Sequence, residues 1–353
     1  MTDEDFTKVK HEVFVGNLSG HRTNWLITLM NLRGLKNQDV IFSVIATEKM
    51  REEFHDKWGF DTRLRFFQSV NSWLSFQKES AHPTIMKNVL VLEGDKFLRL
   101  RAKNISYFFL IMRPFLHSYR FRDLSVFFWK KILIFVRLRV NRDSVRQLSL
   151  PYYKGWFFQS SWIQDDLTII KLNEADSKFR PIEVQPSAER DYFLLTGYLN
   201  DRKGIDKALA FTVQFNHSID PIEVDLRVRG SLDSDDYGSG TGEFLDIKFG
   251  YLEDNDYYSQ IAGALAVLLF YTNIGASGIL LEALYFKKPI ITSNWRLYRK
   301  LSNLPKHLIY FAQDLLDGNR SFEKPEANLA LNLEIDQSSL SNWIMSVVSP
   351  KKS

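Results

Sequence analysis

Hydrophobic positions along this chain gather in short dense runs, separated by segments whose apolar residues recur at helical spacing. VFV at 13–15, DVIFSVIAT at 39–47, NVLVLEGDKFLRLR at 88–101 and ISYFFLIMRPF at 105–115 make up the first series. YFLLTGYL at 192–199, IEVDLRVRG at 222–230, LDIKFG at 245–250, AVLLF at 266–270 and KKPIITSN at 287–294 make up the second. Continuous apolar runs of this length are the pattern of strands covered on both faces. Between them, Trp25, Leu26, Leu29 and Met30 repeat at helical spacing, MREEFHDKW is a charged helix, and Ile205, Leu209 and Val213 mark one face of another. Strands alternating with helices predict an α/β protein built on parallel sheets.

The stretch Ala266 to Asn294, AVLLFYTNIGASGILLEALYFKKPIITSN, concentrates the pattern into one unit: strand, small-residue turn, helix, strand. In an open parallel sheet, ligands bind beyond the carboxyl ends of the strands. Ser277 and Gly278 open the helix, where free backbone N–H groups and the positive end of the dipole suit an anion. Glu282 lies about one turn further in. Lys203 and Gly204 hold the equivalent turn after YFLLT, where a Lys reaches a diphosphate and Gly lets backbone approach. Gly20, His21 and Arg22 hold it after VFV. Arg113 leaves the strand ISYFFLI just before Pro114, which prevents helix continuation. Each of these also has a plain structural reading, as a tight turn or a surface ion pair.

Composition narrows the chemistry. The chain has 353 residues, 45 % of them hydrophobic, enough for two domains. There is no Cys, which excludes disulfides and thiolate metal ligation. The seven His are scattered without metal-ligand spacing, and G-x-S-x-G and H-E-x-x-H are absent. The polar, acidic start MTDEDFTKVKHE is unlike a signal peptide, and no apolar run reaches the ~18 residues of a membrane span. The expectation is a cytoplasmic protein.

The net charge of +4 is unevenly spread. In residues 118–146, Arg120, Arg122, Lys130, Lys131, Arg137, Arg139, Arg142 and Arg146 outnumber Asp123 and Asp143 around the core FFWKKILIF. Such a basic aromatic helix suits an anionic membrane surface; it equally suits a core helix with a solvated basic face. Arg and aromatics also suit nucleic acid, but no RNA- or DNA-binding motif accompanies them, so nucleic acid is not an expected partner. Further on, WFFQS reads as a strand, and Ser160 or Ser161 as the cap of a helix begun by Asp165 and Asp166. Residues 173–191, with Pro181 and Pro186, read as the interdomain connection. SLDSDDYGSGTGEF reads as a polar surface loop without calcium-loop spacing.

Taken together, the second half resembles the retaining glycosyltransferases of family 4. TGYLNDRKG is similar to their strand–Gly-Arg-Leu–Lys-Gly motif through Gly197, Leu199, Lys203 and Gly204, with Tyr198 replacing the Arg. LRVRG resembles the family's strand ending in Gly, and FGYLEDNDYY its later glycine before a helix. LLEALYFKKPIITSN resembles the second half of its two-Glu motif, with Ile274 replacing the first Glu. The resemblance implies the GT-B fold, two Rossmann-like domains facing across a cleft: residues 1–180 on the acceptor side and 181–353 for the nucleotide sugar, with the last helix packing back on the first domain. It implies transfer of a sugar from a nucleotide-diphosphate sugar to a glycan or glycolipid hydroxyl, without metal or further cofactor. Gly20, Gly197, Arg202, Lys203, Gly204, Ser277, Gly278 and Glu282 would hold the donor, Lys203 at its diphosphate and Glu282 at its ribose. His21 and Arg113 would be the catalytic candidates. Because Tyr198 and Ile274 depart from the pattern, a non-catalytic subunit supporting a partner transferase is the alternative, and a nucleotide-sugar epimerase a third reading.

Overall fold

The order of strands in the two sheets carries the architecture. A computed structural model describes residues 11–18, 21–32, 35, 40–79, 86–92, 97–100, 104–111, 129, 132–134, 144–149, 162–164, 167, 191–197, 199, 203–217, 223–230, 240–242, 244–250, 252, 254–271, 278–301, 304–323 and 339–348. The chain forms two compact units, one of Met1–Leu150, Gly155–Lys171 and Ile335–Ser353, the other of Pro151–Lys154 and Leu172–Glu334.

In the first unit the strands are β1 (His11–Val15), β2 (Val40–Ile45), β3 (Leu64–Phe67), β4 (Lys87–Leu92), β5 (Ile105–Ile111), β6 (Ser144–Ser149) and β7 (Trp162–Gln164). They form one sheet in the order β3-β2-β1-β4-β5-β6-β7, and every pair is parallel. Helices α1 (His21–Asn31), α2 (Glu48–Trp58) and α3 (Val70–Glu79) connect the first four strands. Thr47 caps α2, its hydroxyl accepting the Met50 N–H at 3.3 Å. Phe14, Trp73, Val89, Val91, Tyr107 and Phe109 fill one face of the sheet.

The second unit repeats the plan. Its strands are β8 (Tyr192–Thr196), β9 (Asp225–Gly230), β10 (Gly240–Gly242), β11 (Leu245–Phe249), β12 (Ala266–Leu268), β13 (Ile290–Thr292) and β14 (Ile309–Phe311), in the order β10-β11-β9-β8-β12-β13-β14. Only β10 runs antiparallel to its neighbour; without it, six parallel strands have the doubly wound order of a dinucleotide-binding sheet. Its helices are α4 (Ile205–Asn216), α5 (Asp254–Gly263), α6 (Gly278–Tyr285), α7 (Trp295–Lys300) and α8 (Ala312–Leu316), while α9 (Leu340–Val348) belongs to the first unit. Phe193 of β8 meets Phe211 and Phe215 of α4 at 5.8 and 5.2 Å between ring centroids, a knot that seats α4 on the sheet.

Several expectations need correction. The buried stripe of α4 keeps Ile205 but runs on through Ala208, Phe211, Thr212, Phe215 and Asn216, with Leu209 only partly buried against it, because the two large rings outcompete the aliphatic positions for the sheet. Arg146 lies in β6, so the basic segment ends as a strand. Trp162–Gln164, expected at a helix start, pairs as β7 with Gln147–Ser149; ladder hydrogen bonds on an open sheet edge override the capping pattern. The polar loop after β9 ends in β10, paired with β11 through Gly240↔Ile247. Within 118–146 the described residues divide: Ile134 is in the core, while Trp129 and Ile132 are exposed. The interdomain connection lies outside the described residues except Asp191.

Candidate functional site

In the second sheet the winding reverses between β8 and β12, and the carboxyl ends of those two strands are where such a sheet opens a ligand crevice. Several sequence candidates converge there. Gly197 follows β8, and a Cβ built on it would lie 2.6 Å from Ile279 Cδ1 of α6 and 3.4 Å from Lys203 Nζ. Next to it, β9 ends at Gly230, whose φ is +150°; a Cβ there would fall 1.9 Å from the Gly197 carbonyl oxygen. Gly197 N–H donates to Arg229 O at 3.2 Å, and Gly250 N–H, after β11, donates to Gly230 O at 3.0 Å. Three adjacent strands thus end without side chains over the crevice.

Among the described residues at this sheet end, Lys203 supplies a cation. Its ammonium donates to the Tyr271 hydroxyl at 2.7 Å and to the Thr196 carbonyl at 3.3 Å. Among the described residues these two bonds take two of its three donors. Gly204 caps α4 in a left-handed conformation, φ 68°, with Phe270 O 2.6 Å from the place of a Cβ. Backbone alone fits there, so the amino end of α4 rests on the exit of β12.

The pocket's anion is Glu282, buried on α6. Its Oε2 accepts the Tyr257 hydroxyl at 2.6 Å. Burial pushes the Tyr257 phenol well above its ordinary pKa of 10, and the Glu282 carboxylate pushes it in the same direction. Tyr257 is therefore the donor in this bond at any physiological pH. The residues just after β12 are tied to the exit of β13: Thr292 Oγ1 donates to Leu269 O at 2.8 Å and Asn294 Nδ2 to Tyr271 O at 3.1 Å.

Of the sequence candidates, the second sheet therefore gathers Gly197, Lys203, Gly204, Gly278 and Glu282. Arg202, Ser277, Tyr198 and Ile274 lie outside the described residues, as do Gly20 and Arg113 in the first unit. His21 is the first residue of α1, at the carboxyl end of β1, and Arg22 donates from Nη1 to Asn17 Oδ1. Sequence reasoning missed Tyr257 and Tyr271. Their only sequence signal is position, Tyr271 directly after the strand run AVLLF and Tyr257 on the helix before it; tyrosines elsewhere look the same. Among the described residues no group of three or more His, Asp or Glu could hold a metal ion.

No protein-family model matches this sequence, and no curated protein matches it. Solved structures do. The chain is similar to the N-terminal domain of trehalose-6-phosphate phosphatase from Candida albicans, with TM-score 0.55 and 12 % identity over 96 % of this chain and 95 % of that one. It is similar to MnaA from S. aureus, solved with UDP, with TM-score 0.51 and 12 % identity over 88 % and 87 %. It is also similar to the UDP-forming α,α-trehalose-phosphate synthase from Burkholderia xenovorans, solved with glucose-6-phosphate, with TM-score 0.51 and 11 % identity over 89 % and 92 %. At such identities the likeness establishes the fold: this is a GT-B protein of two Rossmann-like domains.

Proposed function

We propose that the chain is a retaining glycosyltransferase, of the family 4 kind, that moves a sugar from a nucleotide-diphosphate sugar to an acceptor hydroxyl. The observation that carries the reading is Lys203, held by Thr196 and Tyr271 over Gly197 at the winding reversal of the second sheet. A cation at that position offsets the charge that builds on a departing diphosphate. Glu282, on the adjacent helix, is the acceptor for ribose hydroxyls; Arg202 and the N–H groups around Ser277 and Gly278 add to the phosphate site. In the reaction the bond from the anomeric carbon to the diphosphate oxygen breaks and the acceptor oxygen takes that carbon. The acceptor's proton leaves with the diphosphate, and no metal is needed. MnaA, which binds UDP, and the UDP-forming synthase share the fold, which supports a nucleotide-sugar donor. Gly20, His21 and Arg113 are the candidates for acceptor-side and catalytic contacts.

The acceptor in this reading is a glycan or glycolipid at the cytoplasmic face of a membrane, reached through the basic segment 118–146. The test of the reaction uses the purified chain with UDP-, GDP-, ADP- and dTDP-sugars. Release of diphosphate is expected from one of them, with Lys203→Ala and Glu282→Ala each lowering it at least about tenfold, as loss of a charged hydrogen bond does. Ile274 in place of the family's first Glu favours a second reading, a non-catalytic subunit. A chain that binds none of the nucleotides, alone, would sink the enzyme in favour of that subunit.

A further inference from the structure

Each charge of the pocket is held by a tyrosine, and the two tyrosines belong to different elements. Tyr271 follows β12 and takes one ammonium proton of Lys203 at 2.7 Å, while Lys203 Nζ stands 4.3 Å from the centre of the same ring. Its backbone is fixed in turn, since its carbonyl accepts Asn294 Nδ2–H and Asn294 Oδ1 accepts Leu297 N–H at 3.2 Å, at the start of α7. Tyr257, on α5, donates to Glu282 Oε2 across the helix pair α5–α6. The place of a Gly197 Cβ lies 3.4 Å from Lys203 Nζ and 2.6 Å from Ile279 Cδ1, three residues before Glu282 on α6, so the two pairs stand at the same end of the sheet.

A flexible Lys loses about 2 kcal/mol of rotamer freedom when it is held in one place. A neighbour that holds it before the ligand arrives removes that cost from binding. The Tyr257 hydroxyl bond fixes the place of Glu282 Oε2, and with it the plane of the carboxylate. Tyr271 lies outside the motifs through which the chain resembles other transferases, and in FGYLEDNDYY it is the glycine, not Tyr257, that carries the likeness.

We propose that Tyr257 and Tyr271 are positioning residues for a nucleoside diphosphate: Tyr271 aims the Lys203 ammonium at the diphosphate, and Tyr257 orients Glu282 toward the ribose. The assignment rests on the donor-binding reading above. It divides the ligand between them, the diphosphate answering to Tyr271 and the ribose to Tyr257.

The experiment measures binding of whichever of UDP, GDP, ADP and dTDP the native chain takes up. The same measurement is made with its nucleoside and with its 2′,3′-dideoxy analogue, on the native chain, Tyr271→Phe and Tyr257→Phe. Phenylalanine keeps the ring packing, and thermal unfolding midpoints within about two degrees of native show that both variants fold. Tyr271→Phe is expected to weaken the diphosphate about tenfold and leave the nucleoside unchanged. Tyr257→Phe is expected to weaken nucleoside and diphosphate by the same factor and to abolish most of the native preference for ribose over dideoxyribose. Equal losses for all three ligands in both variants, or no losses, would overturn the assignment while leaving nucleotide binding standing. A native chain that binds none of the four diphosphates overturns the donor-binding reading, and the tyrosine assignment falls with it.

Discussion

At the scale of single residues, the closest approach in the candidate site is made by a missing side chain. Gly230 presses its Cα against the Gly197 carbonyl, and any Cβ would overlap it at 1.9 Å. Gly230→Ala should therefore destabilise the protein by more than about 2 kcal/mol, read from urea unfolding, because backbone rather than a flexible side chain must move. A second residue tests the first unit. Glu12, 1 % exposed, accepts Trp73 Nε1–H at 2.7 Å and Gln77 Nε2–H at 2.9 Å and pairs with Lys87. Burial alone would raise its carboxyl, but the Lys87 ammonium and the hydrogen bonds from Lys87 and Trp73 hold it below the ordinary 4.5. A depressed folded pKa contributes stability above about pH 4.5, lost as the pH falls through the lower folded value. Glu12→Gln leaves Lys87 buried without its anion and should cost about 3 kcal/mol at pH 7. Unfolding of that variant followed from pH 7 to pH 3 should show a shallower acid limb than the native chain.

At the scale of elements, hydrophobic patterning was legible wherever a run was long and apolar. β1, β2, β4, β5, β8, β9, β11, β12 and β13 stand where their runs predicted them. β3 and α3 drew no expectation because LRFF and VNSWLSFQKE carry charges and polar residues within short windows; pairing of Leu64–Phe67 with Phe42–Ile45 is what makes β3 a strand. The face of α4 was misread for a related reason. Spacing identifies a helix, but which of several apolar positions turns inward depends on Phe193 and the sheet beneath. The last helix shows the reverse case. Leu340, Trp343, Ile344, Val347 and Val348 are buried at i, i+3, i+4, i+7 and i+8, and Asn88 Nδ2 of β4 donates to Val347 O at 3.4 Å. Ile344→Ala should cost about 2–4 kcal/mol, as a cavity in a packed face does. Hydrogen exchange should speed up in β1 and β4 and leave β8 and β12 as they are.

At the scale of the whole molecule, two sheets of one winding plan come from a chain without internal sequence repeats, since parallel strands with crossover helices have few ways to pack. The proposed membrane contact belongs to this scale. The net charge is only +4, while residues 118–146 carry eight basic and two acidic side chains, and Trp129 stands 63 % exposed. Each surface Lys or Arg near an anionic bilayer adds about 1 kcal/mol at moderate salt. Sedimentation with vesicles containing a third phosphatidylglycerol should pull the chain down, and Lys130→Glu with Lys131→Glu should weaken it at least about tenfold. Equal sedimentation with neutral vesicles, or none, goes against an electrostatic membrane contact. Among the described residues no helix is long and apolar enough to cross a membrane.

The sequence by itself determined the α/β class, the two series of strands and the turns that carry Gly197, Lys203, Gly204, Gly278 and Glu282, because buried parallel strands must be apolar throughout and strand-to-helix turns need glycine. Only the tertiary structure decided which strands lie side by side, and so that β8 and β12 are neighbours in the second sheet. It also decided what those charges touch. Tyr257 is 25 residues from Glu282, and Tyr271 is 68 from Lys203; hydrogen bonds at such separations leave no periodicity in the chain. They exist because the sheet winds outward from β8 and brings the ends of distant strands together.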